Sequence, residues 1–437
     1  MQKVLVGIDV GTTRLKVVVT DLNLNLISQA AVPTPWIHTN NLSEIDMNLL
    51  ASTTIELAQK AVADADGQAA AIGITGFSET GALLGKDLQP VAPGFAWHDP
   101  RGNLQQVEDA LGAETFERTV AAKINPVVTL TKVLWQQERM PETREVSHFI
   151  GAPEWIMRCL GADLVNELSL VSRSGFLDIA AKAPWKAAVE LVNGGTDFLG
   201  KLVGAGEVIG IASDIAPSNL RGAVLTIAGH DHQTAAYYLG AVKDGALFDS
   251  MGTAEAVVRT YKGTVSQDSM GKLAKHGVNV GWTVVPDHQT ILAGLPTGIS
   301  LERISSMLGA KNTEDRKVLG DAALLVSRSE HDLKVNGSYH SVDVIGITDG
   351  VTPAHIWRAA VEDLTDLFDK TVRVINEEVG PFDEVTIAGG WIYNPMVQDA
   401  KKREYGSYNV VDKLEPGAMG AAEFAGIALK VINPRWS

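Results

Sequence analysis

A β-hairpin motif that occurs twice is the feature that most constrains the fold of this chain. Near the N-terminus, "KVLVGIDVGTTRLKVVVTDLNLNLI" places Val, Ile and Leu on both sides of a Gly-Thr turn, and "GALFDSMGTAEAVVRTYKG", from Gly245 to Gly263, follows the same plan. Further along each half, an apolar strand ends in glycine: "AAIGITGFSETG" and then "EVTIAGGWIYNP". This recurrence predicts two related domains.

The length of the chain also favours two domains. It has 437 residues, of which 45% are hydrophobic and 20% are charged, and one hydrophobic core rarely grows to that size. We expect the boundary near Lys243, with an N-terminal domain of residues 1–243 and a C-terminal domain of residues 244–437. Alternating strands and helices with glycine-rich turns indicate an α/β class in both halves.

The clearest helix lies in "TPAHIWRAAVEDLTDLFDKTVRVINEEVG" of the second half. Thr352 is the predicted N-cap, Pro353 the first helical residue, and Gly380 the residue that ends the helix. Apolar positions three or four residues apart, with one polar member, predict a single buried face: Ile356, Ala360, Leu364, Leu367, Thr371 and Val374.

Charge and cysteine content exclude several classes of function. The formal net charge of -15 provides no basic face for nucleic acid or for an anionic membrane. Cys159 is the only cysteine, so the chain forms no internal disulfide, and we expect it to be an inert small hydrophobe. No uncharged apolar run is long enough to cross a bilayer, and the N-terminus leads into a strand with no signal segment. We therefore expect a cytoplasmic protein that binds neither nucleic acid nor membrane.

The stretch "TIAGHDHQTAAYYLGAV", Thr226 to Val242, breaks an apolar run at a glycine and then begins a helical pattern with His-Asp-His. Three interpretations are open for Asp231: a helix N-cap, a metal ligand between His230 and His232, or a base that takes a proton from a substrate. The local sequence alone favours the cap, and it argues against the metal because no third His or Cys ligand lies nearby in sequence.

The two hairpin turns have a composition suited to phosphate. "DVGTTRLK", Asp9 to Lys16, combines an acid at a strand end with a glycine, two hydroxyls and two cations. The backbone amides and hydroxyls of such a turn can hold a phosphate, while the aspartate holds magnesium through water. "SMGTAEA", Ser250 to Ala256, shares the turn but has no cation. The first turn alone is moderately specific and the second alone is weak support, whereas the two together in repeated domains predict a nucleotide clamp.

Six motifs follow one another in a characteristic order: "DVGTTRLK", "AWHDPR", "GHDHQTA", "SMGTAEA", "AGGWIYNPMVQ" and "PGAMGAAEFAG". Together they resemble the FGGY carbohydrate kinases, two-domain enzymes of the actin-like ATPase superfamily. The resemblance runs from about Lys3 to Val431. It implies two ribonuclease H-like (actin-type) α/β domains with a cleft between them, and an ATP- and Mg²⁺-dependent kinase that phosphorylates a hydroxyl of a small sugar, polyol or sugar acid.

The resemblance implies a site residue by residue. Asp231 falls on the catalytic base, which orients the acceptor hydroxyl and accepts its proton. Asp9 would hold the Mg-ATP phosphates through water, and Asp9 and Asp231 are the candidate metal residues. The nucleotide would be held by Gly11, Thr12, Thr13 and Lys16 of the first hairpin, by Gly252 and Thr253 of the second, and by Gly389, Gly390 and Asn394 at the adenosine. The acceptor would meet Ser78, Glu79, Trp97, Asp99 and His232.

Structural roles compete with several of these assignments. Trp97 is as well suited to a half-buried core position, Glu79 to an exposed loop, and Arg101 to an ion pair with Asp99. The glycines of "GAMGAAEFAG" also suit tight helix packing. Ser78 stands where glycerol kinases, in "GITNQRET", have arginine, which argues against glycerol as the acceptor.

The resemblance leaves the acceptor open. A ketopentose such as xylulose is the leading acceptor, with a tetritol, a hexulose or an aldonate as alternatives. The rival functions are an actin-like or chaperone-like ATPase and a catalytically silent sugar sensor, and the presence of Asp9, Asp231 and both hairpins speaks against the sensor. Glu255 could reach the acceptor or an interdomain hinge, and a homodimer is also left open.

Overall fold

The structure is a computed structural model that describes residues 1–252, 254–411 and 413–436. Its strands are, in chain order, β1 (Gln2–Val10), β2 (Arg14–Thr20), β3 (Leu26–Pro33), β4 (Ile37–Thr39), β5 (Leu42–Ile45), β6 (Gly67–Gly76), β7 (Gly81–Leu84), β8 (Gly94–Phe95), β9 (His148–Gly151), β10 (Val165–Glu167), β11 (Leu177–Asp178), β12 (Ala183–Pro184), β13 (Lys201–Val203), β14 (Val208–Ile211), β15 (Val224–His230), β16 (Ala246–Met251), β17 (Glu255–Lys262), β18 (Asn279–Trp282), β19 (His288–Leu295), β20 (Lys334–Gly337), β21 (Val342–Ile345), β22 (Glu384–Ala388) and β23 (Asn409–Val410).

The α-helices are, in chain order, α1 (Met47–Asp64), α2 (Leu104–Leu111), α3 (Ala113–Val120), α4 (Thr129–Arg139), α5 (Ala152–Leu160), α6 (Leu168–Val171), α7 (Lys186–Leu191), α8 (Asp231–Tyr238), α9 (Gln267–Lys275), α10 (Thr297–Met307), α11 (Thr313–Leu324), α12 (Pro353–Val379), α13 (Pro395–Tyr405) and α14 (Pro416–Ala428). Short 3₁₀ turns occupy Pro141–Thr143, Arg328–Glu330 and Gly390–Tyr393. Within the described residues, no helix combines the length and apolar character that crossing a membrane requires.

The chain packs into two compact units, each made of separate segments. The first unit consists of Met1–Gly240, Lys262–Thr290 and Leu414–Ser437, and the second of Ala241–Tyr261 and Ile291–Lys413. The chain thus first leaves the first unit close to Lys243, but two later segments return to it. A single domain boundary at Lys243 stays a prediction.

The first unit is built on a sheet with the strand order β14-β15-β6-β1-β2-β3. Strands β1 and β2 form the predicted antiparallel hairpin, while β6 runs parallel to both β1 and β15. The carboxyl ends of β1, β6 and β15 therefore meet at one edge of the sheet, where ligands of α/β proteins usually bind. Asp9 lies near the end of β1, Ser78 follows β6 and Asp231 follows β15, so all three are brought to that edge.

Helix α14 lies unusually close to this sheet because glycines face it. A Cβ atom on Gly7 of β1 would lie 1.9 Å from the Ala418 carbonyl oxygen, and one on Gly73 of β6 would lie 2.0 Å from the Ala421 carbonyl oxygen. No side chain fits at either position without moving the helix. The small residues of "GAMGAAEFAG" thus serve tight packing, and they also bring Gly417 next to Asp9.

The second unit repeats the plan of the first. Its strands follow the order β19-β17-β16-β22-β23. Strands β16 and β17 form the second predicted hairpin, and β22, the predicted strand that ends in glycine, runs parallel to β16. The repeated arrangement of hairpin and parallel strand that the sequence predicts is therefore present in both units.

Helix α12 begins and ends as predicted, with Thr352 at the N-cap, Pro353 at the first position and Gly380 after the last turn. The predicted buried face is correct only in its first half: Leu367 is exposed, and burial continues instead through Phe368, Val372 and Ile375. One stripe at a spacing of three or four residues is buried along the whole helix, namely Trp357, Val361, Leu364, Phe368, Val372 and Ile375. The predicted stripe lies at the edge of this face and leaves it at Leu367.

Candidate active site

The loop of the first hairpin is held by side chains from elsewhere in the first unit. The Gly11 carbonyl oxygen accepts a hydrogen bond from the Thr34 hydroxyl at 2.7 Å, and the Thr12 carbonyl oxygen accepts one from the Trp36 indole at 2.7 Å. The Thr12 hydroxyl accepts from the Trp97 indole at 2.9 Å and keeps its own proton to donate. The loop is thus fixed in one conformation.

Asp9 carries a carboxylate charge that the chain leaves largely unneutralised. Its Oδ1 atom is buried with no hydrogen-bond partner among the described residues. Burial, with added repulsion from Asp231 and Glu415 against the attraction of Lys16, raises the pKa of Asp9 to about 7. Lys16 itself places its ammonium nitrogen 2.6 Å from Glu415 Oε2. A cation from outside the chain would therefore stabilise the ionised form of Asp9.

Asp231 is the first residue of α8 and the N-cap is His230, so the interpretation of Asp231 as the N-cap is wrong. Its side chain is 27% exposed, and its Oδ1 atom lies 2.9 Å from His230 Nδ1 and accepts a hydrogen bond from the His232 amide at 2.7 Å. Burial alone would raise the pKa of Asp231, but the charges of His232 and His230 and these hydrogen bonds hold it well below its ordinary value. Asp231 is therefore an ionised carboxylate at neutral pH.

Hydroxyl groups fix the turn that precedes Asp231. The Thr75 hydroxyl donates to the Gly229 carbonyl oxygen at 2.6 Å, and the His230 amide donates to the Ser169 hydroxyl oxygen at 2.9 Å. Because Thr75 lies on β6, the first bond ties the turn to the neighbouring parallel strand. The position of the Asp231 carboxylate is thus set by the sheet.

A metal held by protein ligands alone finds no support at the His-Asp-His stretch. The rings of His230 and His232 stack with their centroids 5.7 Å apart. The part of the chain that the structure describes has no group of three or more His, Cys, Asp and Glu side chains that could hold a metal ion. Asp9 and Asp231 stay candidates for a cation that takes its other ligands from a bound nucleotide.

Glu79 is the centre of a hydrogen-bonded network at the edge of the first sheet. Its backbone has φ 61°, in the left-handed region that strains a residue other than glycine. Its carboxylate accepts from the Ser78 hydroxyl and, at 2.7 Å, from Arg173 Nε. Buried Lys132 donates to the carbonyl oxygens of Glu79 at 3.4 Å and Trp97 at 3.0 Å. Glu79 is therefore held in place and is not a loose loop charge.

Asp99 is bound by its own chain. Its buried carboxylate accepts from the Ser43 amide and from Arg101 Nε, each at 2.8 Å, and Arg101 Nη2 lies 2.7 Å from Asp99 Oδ2. Burial opposes ionisation, but these bonds outweigh it and lower the pKa of Asp99. Trp97 is half-buried and, through Thr12, joins this region to the loop of the first hairpin.

The partly exposed side chains at this edge include one that the sequence did not indicate. Trp97, Asp231, His232 and Arg173 are all partly open, whereas Glu79 is 9% exposed, Ser78 4% and Asp99 1%. Burial lowers the pKa of His232, and the charge of Asp231 opposes this shift. The charge of Arg173 also lowers this pKa, whereas that of Glu79 raises it. A neutral His232 beside an ionised Asp231 is the resulting arrangement.

The turn of the second hairpin is open at Gly252, where the nearest atom to an added Cβ would be 3.6 Å away. Thr253 lies outside the described residues, so its phosphate contact stays a prediction. The Glu255 side chain is used inside the second unit: it accepts from the Thr297 hydroxyl at 2.5 Å and pairs with Lys401. Glu255 is only 1% exposed, so its side chain is not available to contact an acceptor.

The three residues of the second unit that were predicted to hold the adenosine, Gly389, Gly390 and Asn394, have different surroundings. A Cβ atom on Gly389, where φ is 113°, would lie 2.3 Å from the Met251 carbonyl oxygen, whereas one on Gly390 would meet no described atom within 4 Å. The Asn394 side chain caps α13 by accepting from its first amides, and donates to the Arg316 carbonyl oxygen at 2.7 Å. Gly390 is thus open, while Gly389 and Asn394 have packing and capping roles.

Sequence reasoning missed Arg173, Lys132 and Lys401. Arg173 shows only as a cation in the otherwise apolar stretch "LSLVSRSGFL", and Lys401 lies in a helix rich in charge, "QDAKKREY". The partner of Arg173 is 94 positions away and that of Lys401 is 146 positions away. A single sequence carries no signal for pairs so distant.

Comparisons with known proteins agree with this architecture. The profile of the FGGY family of carbohydrate kinases, N-terminal domain, matches residues 4–237. L-fuculokinase of Escherichia coli (strain K12) is 23% identical over 462 residues, which cover 99% of this chain and 94% of the relative. Xylulose kinase of Lactococcus lactis subsp. lactis (strain IL1403) is 25% identical over 448 residues, 96% of this chain and 86% of the relative. The crystal structure of xylulose kinase from Rhodospirillum rubrum matches with a TM-score of 0.86 at 18% identity, over 98% of this chain and 90% of that one.

The fold is that of the sugar kinases with actin-like ATPase domains. The chain belongs to the FGGY family of carbohydrate kinases. It is therefore an ATP-dependent phosphotransferase that acts on a hydroxyl group of a carbohydrate. The predicted fold class, family and enzyme class are confirmed, while the homodimer and the cytoplasmic location stay predictions.

Proposed function

We propose that this kinase transfers the γ-phosphoryl group of ATP to a hydroxyl of a small sugar, with Asp231 as the base. The observation that carries the proposal is an ionised, partly exposed carboxylate fixed at the carboxyl edge of the parallel strands. In phosphoryl transfer to an alcohol, such a carboxylate orients the hydroxyl and accepts its proton as the bond to phosphorus forms.

Asp9 suits a magnesium ion that arrives with ATP. Its unpartnered buried oxygen and its raised pKa both indicate a missing positive charge. Magnesium usually takes one or two carboxylates and completes its shell with water and substrate phosphates, which agrees with Asp9 and the nearby Asp231 as the protein contribution. When bound, the ion would neutralise charge on the transferring phosphoryl group.

The phosphates of the nucleotide would meet the first hairpin loop. Gly11, Thr12, Thr13 and Lys16 supply amides, hydroxyls and a cation there, and the fixed conformation of the loop favours binding without further ordering. In the second unit we assign Gly252 and Thr253 to the phosphates and Gly390 to the adenosine. Gly389 and Asn394 would support that contact by packing and capping.

The acceptor would be recognised by Glu79 and Arg173 together. Ionised Glu79 only accepts hydrogen bonds and Arg173 only donates them. A hydroxyl both donates and accepts, so this pair suits a polyhydroxylated acceptor. We take a ketopentose such as xylulose as the leading candidate over glycerol, because Ser78 stands where glycerol kinases have arginine. His232 and Trp97 would contact the sugar directly, whereas the burial of Ser78 and Asp99 makes them residues that position Glu79 and Arg101.

The test is ADP release with Mg-ATP and each of xylulose, L-fuculose, gluconate and glycerol. We expect Asp231→Asn to lower kcat for the best acceptor by about 10²- to 10⁴-fold, because the proton of the hydroxyl loses its acceptor. Asp46→Asn is the matched control, since Asp46 caps α1 by accepting from the amides of Asn48 and Leu49. It should keep full activity and nearly full stability, because asparagine caps a helix about as well as aspartate.

Two results would contradict the proposal. One is an Asp231→Asn variant that turns over as fast as the wild type. The other is a wild type for which none of the four acceptors raises ADP release above the rate with ATP alone.

A further inference from the structure

Three charged side chains lie completely inside the second unit, beside the turn of the second hairpin. Asp249, Glu255 and Lys401 are 0%, 1% and 1% exposed. The Lys401 ammonium nitrogen lies 2.8 Å from Asp249 Oδ2 and also contacts Glu255 Oε1. We refer to Asp249, Glu255 and Lys401 as the buried ion cluster.

The buried ion cluster joins the elements that surround the turn. Asp249 lies on β16, which enters the turn, and Glu255 is the first residue of β17, which leaves it. Lys401 belongs to α13, and Thr297, the first residue of α10, donates its hydroxyl proton to Glu255 Oε2 at 2.5 Å. One ammonium group therefore connects both strands of the hairpin to α13.

Stability alone does not account for such a cluster. Two carboxylates share one ammonium, and Asp249 Oδ1 has no hydrogen-bond partner among the described residues. Burial raises the pKa of Asp249 to about 7, with Lys401 opposing the shift and Glu255 adding to it. Apolar side chains of similar volume are often as stable as a buried ion pair, or more so. The ion pairs have a second effect, because they hold β16, β17 and α13 at defined distances from one another.

We propose that the buried ion cluster holds the turn at Gly252 in a fixed position relative to α13, so that Gly252, and Gly390 in the 3₁₀ turn that precedes α13, meet the ATP phosphates and adenosine in a fixed geometry. Glu255 is then a positioning residue for the nucleotide, acting through the turn that precedes it. The inference rests on the proposed function, which assigns Gly252 and Gly390 to the nucleotide. It also gives Glu255 a role that involves neither the acceptor nor a hinge.

The variant that tests the inference is Glu255→Gln. It keeps the size of the side chain and an oxygen for the Thr297 hydroxyl, and it leaves Lys401 paired with Asp249, so we expect it to fold. The charged hydrogen bond to Lys401 is lost, and we expect the Kd for ADP and the KM for ATP to rise about tenfold. The KM for the sugar should stay the same, because the acceptor residues lie in the first unit.

Asp363→Asn is the matched control in the same unit. Asp363, on α12, accepts from the Val335 amide at 2.7 Å and pairs with Arg328 at 3.0 Å, away from the hairpin. Both variants should lower the Tm, but only Glu255→Gln should weaken ADP binding measured by calorimetry. Equal ADP affinities in the two variants would reduce the cluster to a structural role and overturn the inference.

The binding measurement separates this inference from the proposed function. If the wild type binds no ADP, the nucleotide assignment itself is wrong. If the wild type binds ADP, Asp231→Asn is inactive and Glu255→Gln binds ADP like the wild type, the proposed function stands and the positioning role of Glu255 fails.

Discussion

The two hairpins have the same fold and neutralise their acidic side chains in opposite ways. In the first hairpin, Asp9 has a buried oxygen with no partner in the described chain and a pKa raised to about 7. In the second, Asp249 and Glu255 are paired with the buried ammonium of Lys401. The first hairpin thus leaves negative charge for a cation from outside, whereas the second brings its own cation. Under the proposals above, one backbone motif would serve chemistry in one unit and geometry in the other.

A difference of one residue in the hairpins accounts for this contrast. The last pair of the first hairpin is Val10 with Leu15, and the last pair of the second is Met251 with Glu255. Asp9 therefore lies one residue before the last pair, and Asp249 lies two residues before it. Because side chains alternate between the faces of a strand, the two acids point to opposite faces of their hairpins.

Lys401→Met is the change with the largest expected effect. It leaves two buried carboxylates without a cation, and we expect the free energy of unfolding to fall by about 3 to 5 kcal/mol. Lys16→Met is the matched control in the first hairpin, because its ion pair with Glu415 is partly exposed, at 34% and 29%. That variant should lose at most about 1 kcal/mol. Urea unfolding of both at one pH makes the comparison, and similar losses would contradict the contrast between the hairpins.

Asp9→Asn should raise the free energy of unfolding, whereas Lys401→Met lowers it. Asp9 holds its proton more tightly in the folded chain, so the stability of the wild type should fall as the pH rises from 3.8 to about 7. The amide removes that charge, and we expect a gain of about 1 to 3 kcal/mol at pH 8 and little change at pH 4. At the same time kcat should fall about 10²- to 10³-fold, because the Asp9 carboxylate would no longer hold the magnesium ion that neutralises the phosphates.

Urea unfolding of Asp9→Asn and wild type at pH 4 and pH 8, without nucleotide or magnesium, measures the first effect, and ADP release measures the second. Taking the difference between the two chains at each pH removes the contribution of other titrating groups. A variant that is less stable than the wild type at pH 8 would show that the chain already neutralises Asp9.

The sequence predicts those parts of the fold that depend on local pattern. The hairpins follow from β-prone residues around glycine turns, and the ends of α12 follow from Thr352, Pro353 and Gly380. Asp9 and Asp231 could also be placed near each other, because parallel strands bring their carboxyl ends to one edge. The family resemblance then selects the base among the roles that Asp231 can have.

What the sequence does not predict depends on contacts between distant residues. Arg173 meets Glu79, and Lys401 meets Glu255, only after the chain has folded. The buried face of α12 continues through Phe368, Val372 and Ile375, a choice between adjacent apolar positions that the local pattern does not make. Asp99 is an intermediate case. Its partner Arg101 is only two positions away, so the sequence already suggested an ion pair as the alternative to an acceptor contact.

The pair Gly389→Ala and Gly390→Ala separates packing from nucleotide contact at the end of β22, with the smallest expected effects. Gly389 has φ 113°, and an added Cβ would lie 2.3 Å from the Met251 carbonyl oxygen, so we expect a loss of about 1 to 3 kcal/mol. Gly390 has open space, and its variant should unfold within about 0.5 kcal/mol of the wild type. If Gly390 lies against the adenosine, its variant should still bind ADP more weakly, because the new methyl group occupies that space. Unchanged ADP affinity in a stable Gly390→Ala variant would remove Gly390 from the nucleotide site and leave the second hairpin as the contact of this unit with ATP.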